Sequence, residues 1–309
     1  MAAASRAAAA EAAIGAMIDD HAAGSRKRRR IGSTEDYELS RVLGAGGFGV
    51  VIKAQHRATG EDVALKFLVC STDGGGDGKR ERHRAHALHH DLLREACYLA
   101  ACRGHPSVVG LQGIARDPGT GQCSLVLEHV GPSLAHICDL GLAVSMASAP
   151  PPRGRAGTRW YMAPEMLLGM PDYDELVDAW SLGCVMAELP AGEPLFPGQN
   201  AVDQLLRVFR VLDGGCVGFA HTPLAVVGQM SPTCRGNSRL RELFPEERLS
   251  RDGFEVLDGL LACDPSERLP ATVALQYPWF AGTADDVPAS AAQDAWSTTI
   301  LLRRFGVYF

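Results

Sequence analysis

The sequence predicts an α+β chain, a small β-rich unit followed by a mainly helical one, and three observations carry that expectation. Glycines in Leu43-Gly44-Ala45-Gly46-Gly47-Phe48-Gly49-Val50-Val51 separate two short stretches, 37–43 and 50–56, rich in β-branched or alternating apolar residues, which is a hairpin pattern. A further apolar run, Val63-Ala64-Leu65-Lys66, reads as the third strand. Beyond residue 170 the apolar residues change period: 178–189, then Val202, Leu205, Leu206, Phe209 and Leu212, then 257–261, recur at helical spacing.

Composition sets the outer bounds. The chain has 309 residues, 46% hydrophobic and 21% charged, ordinary for a soluble globular protein of one large domain or two lobes. Its net charge of −6 points neither to nucleic acid nor to an anionic membrane surface. Nine cysteines, an odd number with no C-x-x-C pair, read as reduced thiols of an intracellular protein. No apolar run approaches the ~20 residues of a membrane span.

Residues 1–36 are expected to form a flexible tail. Arg6, Glu11, Asp19 and Asp20 interrupt its alanines and exclude a signal-peptide core. The run Arg26-Lys27-Arg28-Arg29-Arg30 suits an import receptor as well as it suits a solvated linker, so nucleus, cytoplasm or both are the expected locations.

The glycine spacing alone also fits a dinucleotide-binding turn, but such a turn passes from a strand into a helix, not into a second strand. Glycines at 44, 46 and 49 permit positive φ and let backbone N–H groups close over the oxyanions of a triphosphate. On the third strand, alternation puts Val63 and Leu65 on one face and Ala64 and Lys66 on the other. Ala64 is small enough to lie against a flat base, with Lys66 placed to reach phosphate.

Together these stretches resemble the nucleotide lobe of a eukaryotic protein kinase, whose set is G-x-G-x-x-G-x-V followed by V-A-I-K, with Leu65 here for isoleucine. The resemblance implies a bilobal fold with a β-rich lobe over 37–130, a helical and incomplete lobe over 131–281, and a tail over 282–309. Residues 70–84, rich in glycine and basic residues, read as a flexible insertion. His83, His86, His89 and His90 are helically spaced, but no cysteine or carboxylate completes a metal set, so a solvated helix start is expected. The helix over 91–102 corresponds to helix C, and Glu95 is then the carboxylate that pairs with Lys66. Cyclin-dependent kinases carry Pro-Ser-Thr-Ala-Ile-Arg-Glu there; His89-His90-Asp91-Leu92-Leu93-Arg94-Glu95 keeps only the closing Arg-Glu, so the local sequence does not support cyclin binding. Residues 124–130 resemble the strand entering the hinge, with Leu127 gating the back pocket and Glu128 and Val130 offering main-chain groups to adenine.

The chain then departs from the family. Ile137-Cys138-Asp139-Leu140-Gly141-Leu142-Ala143 resembles the D-F-G magnesium motif, which makes Asp139 the metal ligand. It follows Glu128 by 11 residues, where a kinase has two helices and the loop H-R-D-L-x-x-x-N. Asp139 precedes Ala163-Pro164-Glu165 by 24 residues, a length that fits an activation segment but not a catalytic loop as well. Arg153 stands where a cyclin-dependent kinase has its activating threonine. Gly157-Thr158-Arg159-Trp160-Tyr161-Met162-Ala163-Pro164-Glu165 is closest to the substrate-docking loop of cyclin-dependent and related kinases. Asp178 opens a central helix that Pro190 is expected to stop, and without the catalytic loop its buried carboxylate lacks a partner. Residues 214–237 read as loop. Arg268, after Asp264-Pro265-Ser266-Glu267, is expected to pair with Glu165.

What the resemblance implies is transfer of the γ-phosphoryl of ATP, with magnesium, to Ser or Thr of a protein substrate. Lys66, Glu95 and Asp139 are the catalytic residues it assigns, and residues 43–51, Ala64, Lys66, Glu128 and Val130 the nucleotide contacts. No residue can be assigned as catalytic base or second metal ligand. Since a general base contributes ~10²–10⁴-fold, three readings stay open: a kinase with a very low residual rate, a pseudokinase that binds ATP or a partner, and a chain lacking a block that its gene encodes.

Overall fold

The computed structural model describes residues 31–46, 49–68, 78–131, 136–143, 157–170, 173–212 and 239–281, with backbone alone for 78–88 and 281. Its contacts divide the chain into two units, the first running to Ser148 and the second covering Ala149–Ala295.

The first unit is built on a six-stranded sheet in the order β1-β5-β6-β4-β3-β2. The strands are β1 (Gly32–Ser33), β2 (Tyr37–Gly46), β3 (Gly49–His56), β4 (Asp62–Phe67), β5 (Leu111–Arg116) and β6 (Cys123–Glu128). β2 and β3 form the expected glycine hairpin, antiparallel down to Gly46 opposite Gly49, with the register shifting between Leu39 and Val42 and again between Val42 and Gly44. Gly47 and Phe48 lie outside the described residues. Gly49 has φ +133°, and a Cβ there would collide with the Phe67 carbonyl oxygen, so only glycine fits. β1, which pairs parallel to β5, was not foreseen because two residues carry no periodicity.

Alternation along β4 separates the two faces as expected. Val63 and Leu65 join Ala54, Ala115 and Val126 in one cluster. Ala64 joins Val51, Leu125 and Leu127 in the other, where Leu92, Ala96 and Leu99 of helix α1 (Gly78–Ala101) pack. The helix begins well before residue 91. Its leading turns are mostly Lys, Arg, His and Ala, good or adequate helix formers that carry no apolar stripe and so gave no periodic signal.

The first unit continues beyond Val130, where the small lobe was expected to end. Ile137 forms a parallel bridge with Val108, donating to Ser107 O (2.7 Å) and accepting from Val109 N–H (3.0 Å). These bonds hold the segment bearing Asp139 against the first unit.

The second unit contains α2 (Pro164–Leu168), α3 (Leu176–Ala191), α4 (Ala201–Val211), α5 (Leu240–Leu243), α6 (Arg251–Leu260), α7 (Ala271–Ala274) and α8 (Pro278–Ala281). The core forms where α3 meets α6: a Cβ on Gly183 would come within 2.9 Å of Leu261, so glycine permits the close approach. Trp180 is fully buried and stacks on Phe196 at 6.0 Å. Asn200 caps α4 by accepting from the N–H groups of Val202 and Asp203, and Ser250 caps α6 through Gly253 N–H.

Two expectations about α3 are corrected. Pro190 does not stop the helix; it lies in the last turn, and Gly192, left-handed at φ 76°, ends it by donating to Glu188 O. Nor is the Asp178 carboxylate buried as expected: Asp178 is exposed, as is Leu182 on the same helix at 48%. Water therefore solvates the Asp178 carboxylate, although partial desolvation and the nearby Glu175 hold its pKa above the usual aspartate value. Glu165 and Arg268 make the expected pair, bidentate at 2.7 and 3.0 Å, with Arg268 also donating to the carbonyls of Ala262, Cys263 and Leu176. Residues 214–237 lie outside the described residues. Among the described helices none is long and apolar enough to cross a membrane.

Candidate functional site

Three elements of the first unit bring its charged residues together. Sheet register places Lys66 of β4 between Val51 of β3 and Leu125 of β6. Helix α1 lies on the same face and presents Glu95, whose carboxylate accepts from Lys66 Nζ at 2.8 and 2.9 Å. The segment after Ile137 brings Asp139, whose Oδ1 accepts from the same Nζ at 2.7 Å. Lys66 and Glu95 are buried, at 4% and 1% exposure, and Asp139 is 17% exposed.

The electrostatics follow from that geometry. Burial works against the Lys66 ammonium, but Glu95 and Asp139 outweigh it and raise its pKa, so it stays charged. Burial raises the Glu95 pKa, opposed by Lys66 and by a hydrogen bond from the Leu140 backbone. Next to Asp139, burial and the two carboxylates push the Cys138 thiol up to about 12.

Asp139 is the one non-glycine residue with positive φ among the described residues, at 59°. For an L-residue this conformation persists where surrounding contacts over-determine it. Those contacts come from consecutive residues of α1: Glu95 takes the Leu140 hydrogen bond, while Arg94 Nη2 donates to Gly141 O at 2.6 Å. Gly141 N–H in turn donates to Asp139 Oδ1 at 3.3 Å. A Cβ on Gly141 would lie 3.2 Å from Asp139 Oδ1 and 3.4 Å from Glu95 Oε2, so glycine keeps this turn close to both acids.

A concavity opens beside the triad, lined by Leu43, Val51, Ala64, Val109, Leu127, Glu128, His129, Val130 and Cys138, with Lys66 and Asp139. Its non-atom space, open mouth included, is about 360 Å³. Of the candidate site residues, Leu43, Val51, Ala64, Lys66, Glu128, Val130 and Asp139 share this lining. Gly44, Ala45, Gly46, Gly49 and Val50 form the adjoining hairpin edges, while Glu95 sits behind Lys66 outside the lining. Glu128 N–H is committed to Gly110 O at 2.8 Å, so it cannot serve as a free donor. Val109, His129, Cys138 and Arg94 were not foreseen. For Cys138 and His129 the adjacency to Asp139 and to Glu128 and Val130 was a usable signal; Val109 and Arg94 depend on tertiary contacts.

The donor set decides what metal could be held. Asp139 Oδ1 is occupied by Lys66 and Gly141, and its second oxygen accepts no hydrogen bond from the described residues. No group of three or more His, Cys, Asp or Glu among the described residues could cage an ion. Magnesium often relies on one or two carboxylates plus the phosphates of its nucleotide. The residues therefore fit an ion that arrives with a nucleotide.

Comparison with known proteins gives the same direction. A family profile described as "Protein kinase domain" matches residues 132–280. "Putative cyclin-dependent kinase F-2" of Oryza sativa subsp. japonica is 39% identical over 321 positions, covering 83% of this chain and 93% of the relative. "Cyclin-dependent kinase G-2" of Oryza sativa subsp. indica and "Cyclin-dependent kinase G1" of Arabidopsis thaliana are each 29% identical over 86% of this chain. The matches span 44% and 52% of those relatives' own lengths.

Proposed function

This chain belongs to the protein kinase family, among relatives of cyclin-dependent type, and on that premise we propose that it binds ATP with magnesium in the first unit and transfers phosphate to protein Ser or Thr at a low residual rate at most. The observation that supports this reading is the triad of Lys66, Glu95 and Asp139 beside an apolar concavity. Lys66, held charged by two carboxylates, would meet the phosphates; Ala64, Leu43, Val51 and Leu127 offer apolar surface to a flat base. Asp139 would hold the magnesium, which offsets phosphate charge when bound. Glu95 orients Lys66 and does not touch the nucleotide.

Proton removal from the acceptor hydroxyl has no assigned residue. Among the described residues Asp139 and Glu95 are both ion-paired to Lys66, and the Glu128 carboxylate, which also lines the concavity, accepts from Gly110 N–H at 3.3 Å. Binding without turnover is therefore the companion reading. A thermal shift with ATP, with and without magnesium, and a radiolabelled transfer assay test both: a magnesium-dependent shift with negligible transfer supports binding without turnover. No shift in either condition removes nucleotide binding.

The abrupt break, with kinase-like sequence directly on both sides of residues 136 and 137, supports one further reading, in which the gene's full product carries an inserted block and is an ordinary kinase. Sequencing the transcript across codons 136 and 137 tests it. An in-frame insert encoding H-R-D supports the full kinase, and its absence leaves the chain as described. The basic run at 26–30 suits nuclear entry, and protein substrates follow from the family; helix α1 offers no cyclin signature.

A further inference from the structure

We propose that Arg94 is a positioning residue for the magnesium site, latching the Asp139–Gly141 turn to helix α1 so that Asp139 keeps a carboxylate oxygen directed to a nucleotide-borne metal. The inference rests on the nucleotide reading above. Three observations meet on this residue. Asp139 is held in a left-handed backbone conformation at φ 59°, which needs enforcement from its surroundings. Lys66 and Glu95 fix the turn from inside the site, at Asp139 Oδ1 and at the Leu140 backbone. Neither reaches the Gly141 carbonyl, and that group accepts the short 2.6 Å bond from Arg94.

The side chain of Arg94 is 42% exposed, and its other charged contact is Asp91, one turn earlier on α1, at 3.7 Å. Asp91 restrains the guanidinium from the helix side while the carbonyl holds it from the turn side. The donor is charged and the acceptor is main-chain, so the bond belongs to the stronger class and depends on the turn's conformation rather than its side chains. Because Arg94 and Glu95 are consecutive, any rotation of α1 moves both grips together. Of the helix C signature seen in cyclin-dependent kinases, this chain retains only that Arg-Glu pair.

The test uses the full chain with Arg94→Ala and Arg94→Lys, read by hydrogen exchange and by ATP thermal shift in EDTA and in MgCl2. In Arg94→Ala the peptide spanning 138–143 should exchange about tenfold faster, while β6 is unchanged. The ATP response in EDTA should persist, and the additional affinity that magnesium confers should fall about tenfold, the scale of one lost charged hydrogen bond. Arg94→Lys, with one amine able to reach the carbonyl, should recover part of both. Unchanged exchange at 138–143 overturns the latch. So does faster exchange with an intact magnesium increment, or equal loss of the responses in EDTA and magnesium, which marks a structural role alone. If the wild type ignores ATP in both buffers, the nucleotide reading fails and the positioning role fails with it; the exchange measurement still reports separately whether Arg94 holds the turn.

Discussion

At the scale of single residues, Lys66 is the cation between two acids, and removing it should have two separable consequences. Lys66→Met leaves Glu95 buried at 1% exposure with no counter-charge. Breaking a buried pair in this way costs about 3–5 kcal/mol, reduced to the extent that Glu95 takes up a proton. The urea midpoint should fall accordingly, and the ATP thermal shift should vanish. A variant that loses stability yet still responds to ATP would show that Lys66 serves the fold alone. Cys138 supplies a pH test in the same place. Its folded pKa of about 12 lies above that of a thiol in the unfolded chain, about 8.5. Above pH 8.5 the unfolded chain releases the proton and the folded chain keeps it, so stability falls as pH rises, by up to about 1.4 kcal/mol per pH unit. Urea melts at pH 7, 8.5 and 10 should therefore show a shallower decline for Cys138→Ala than for the wild type. Equal slopes would place the thiol in water. The roles of these residues were unevenly legible in the sequence. Lys66 stood out because its motif fixes both identity and spacing, and Glu95, less specifically, because its helix precedes His105-Pro106. Arg94 did not, because it binds a main-chain carbonyl and nothing in the order of letters marks which carbonyl is near.

Elements show the same division between what periodicity reports and what it cannot. The hairpin and the alternation of β4 were readable, since glycine spacing and a period of two carry the information locally. The first turns of α1 were missed for want of an apolar stripe. The Pro190 stop was misplaced because a proline in the last turn removes a donor that the remaining turn can do without, and the chain still needed Gly192 to reverse. Gly49 gives the sharpest test of the hairpin. Any side chain there meets the Phe67 carbonyl and a φ of +133°. Gly49→Ala should destabilise the first unit by about 1–3 kcal/mol through strain and a displaced strand, and should weaken ATP binding with it. In the second unit the comparable element is the Glu165–Arg268 pair, joining α2 to the segment before α7. Arg268 is fully buried and makes five hydrogen bonds, so Arg268→Ala leaves a buried carboxylate and three carbonyls short of a donor. A loss of about 3–5 kcal/mol is expected by chemical denaturation.

For the whole molecule, the question is how the proposed nucleotide site relates to the short stretch that precedes Asp139. Residues 130 and 137 are seven steps apart, and an extended chain spans at most about 25 Å over that length. That suffices to join the end of β6 to the Ile137 bridge, but it has no room for two helices and a loop. The bridge itself is complete, with Ile137 bonded on both sides to the 107–109 segment, so the Asp139 turn does not depend on anything inserted before it. On the proposed reading, nucleotide positioning would rest on the first unit, while proton removal has no assigned residue. An inserted block carrying H-R-D-L-x-x-x-N between His136 and Ile137 should restore the second without altering the first. ATP affinity should stay within a few fold, because Lys66, Glu95 and Asp139 keep their contacts, while phosphate transfer to a protein substrate should rise by about 10²–10⁴-fold. The same insertion with the loop aspartate changed to asparagine should bind ATP and lose that gain. A rise in transfer that survives the asparagine would mean that a base already exists in the chain, and residues outside the 130–143 stretch would then have to supply it.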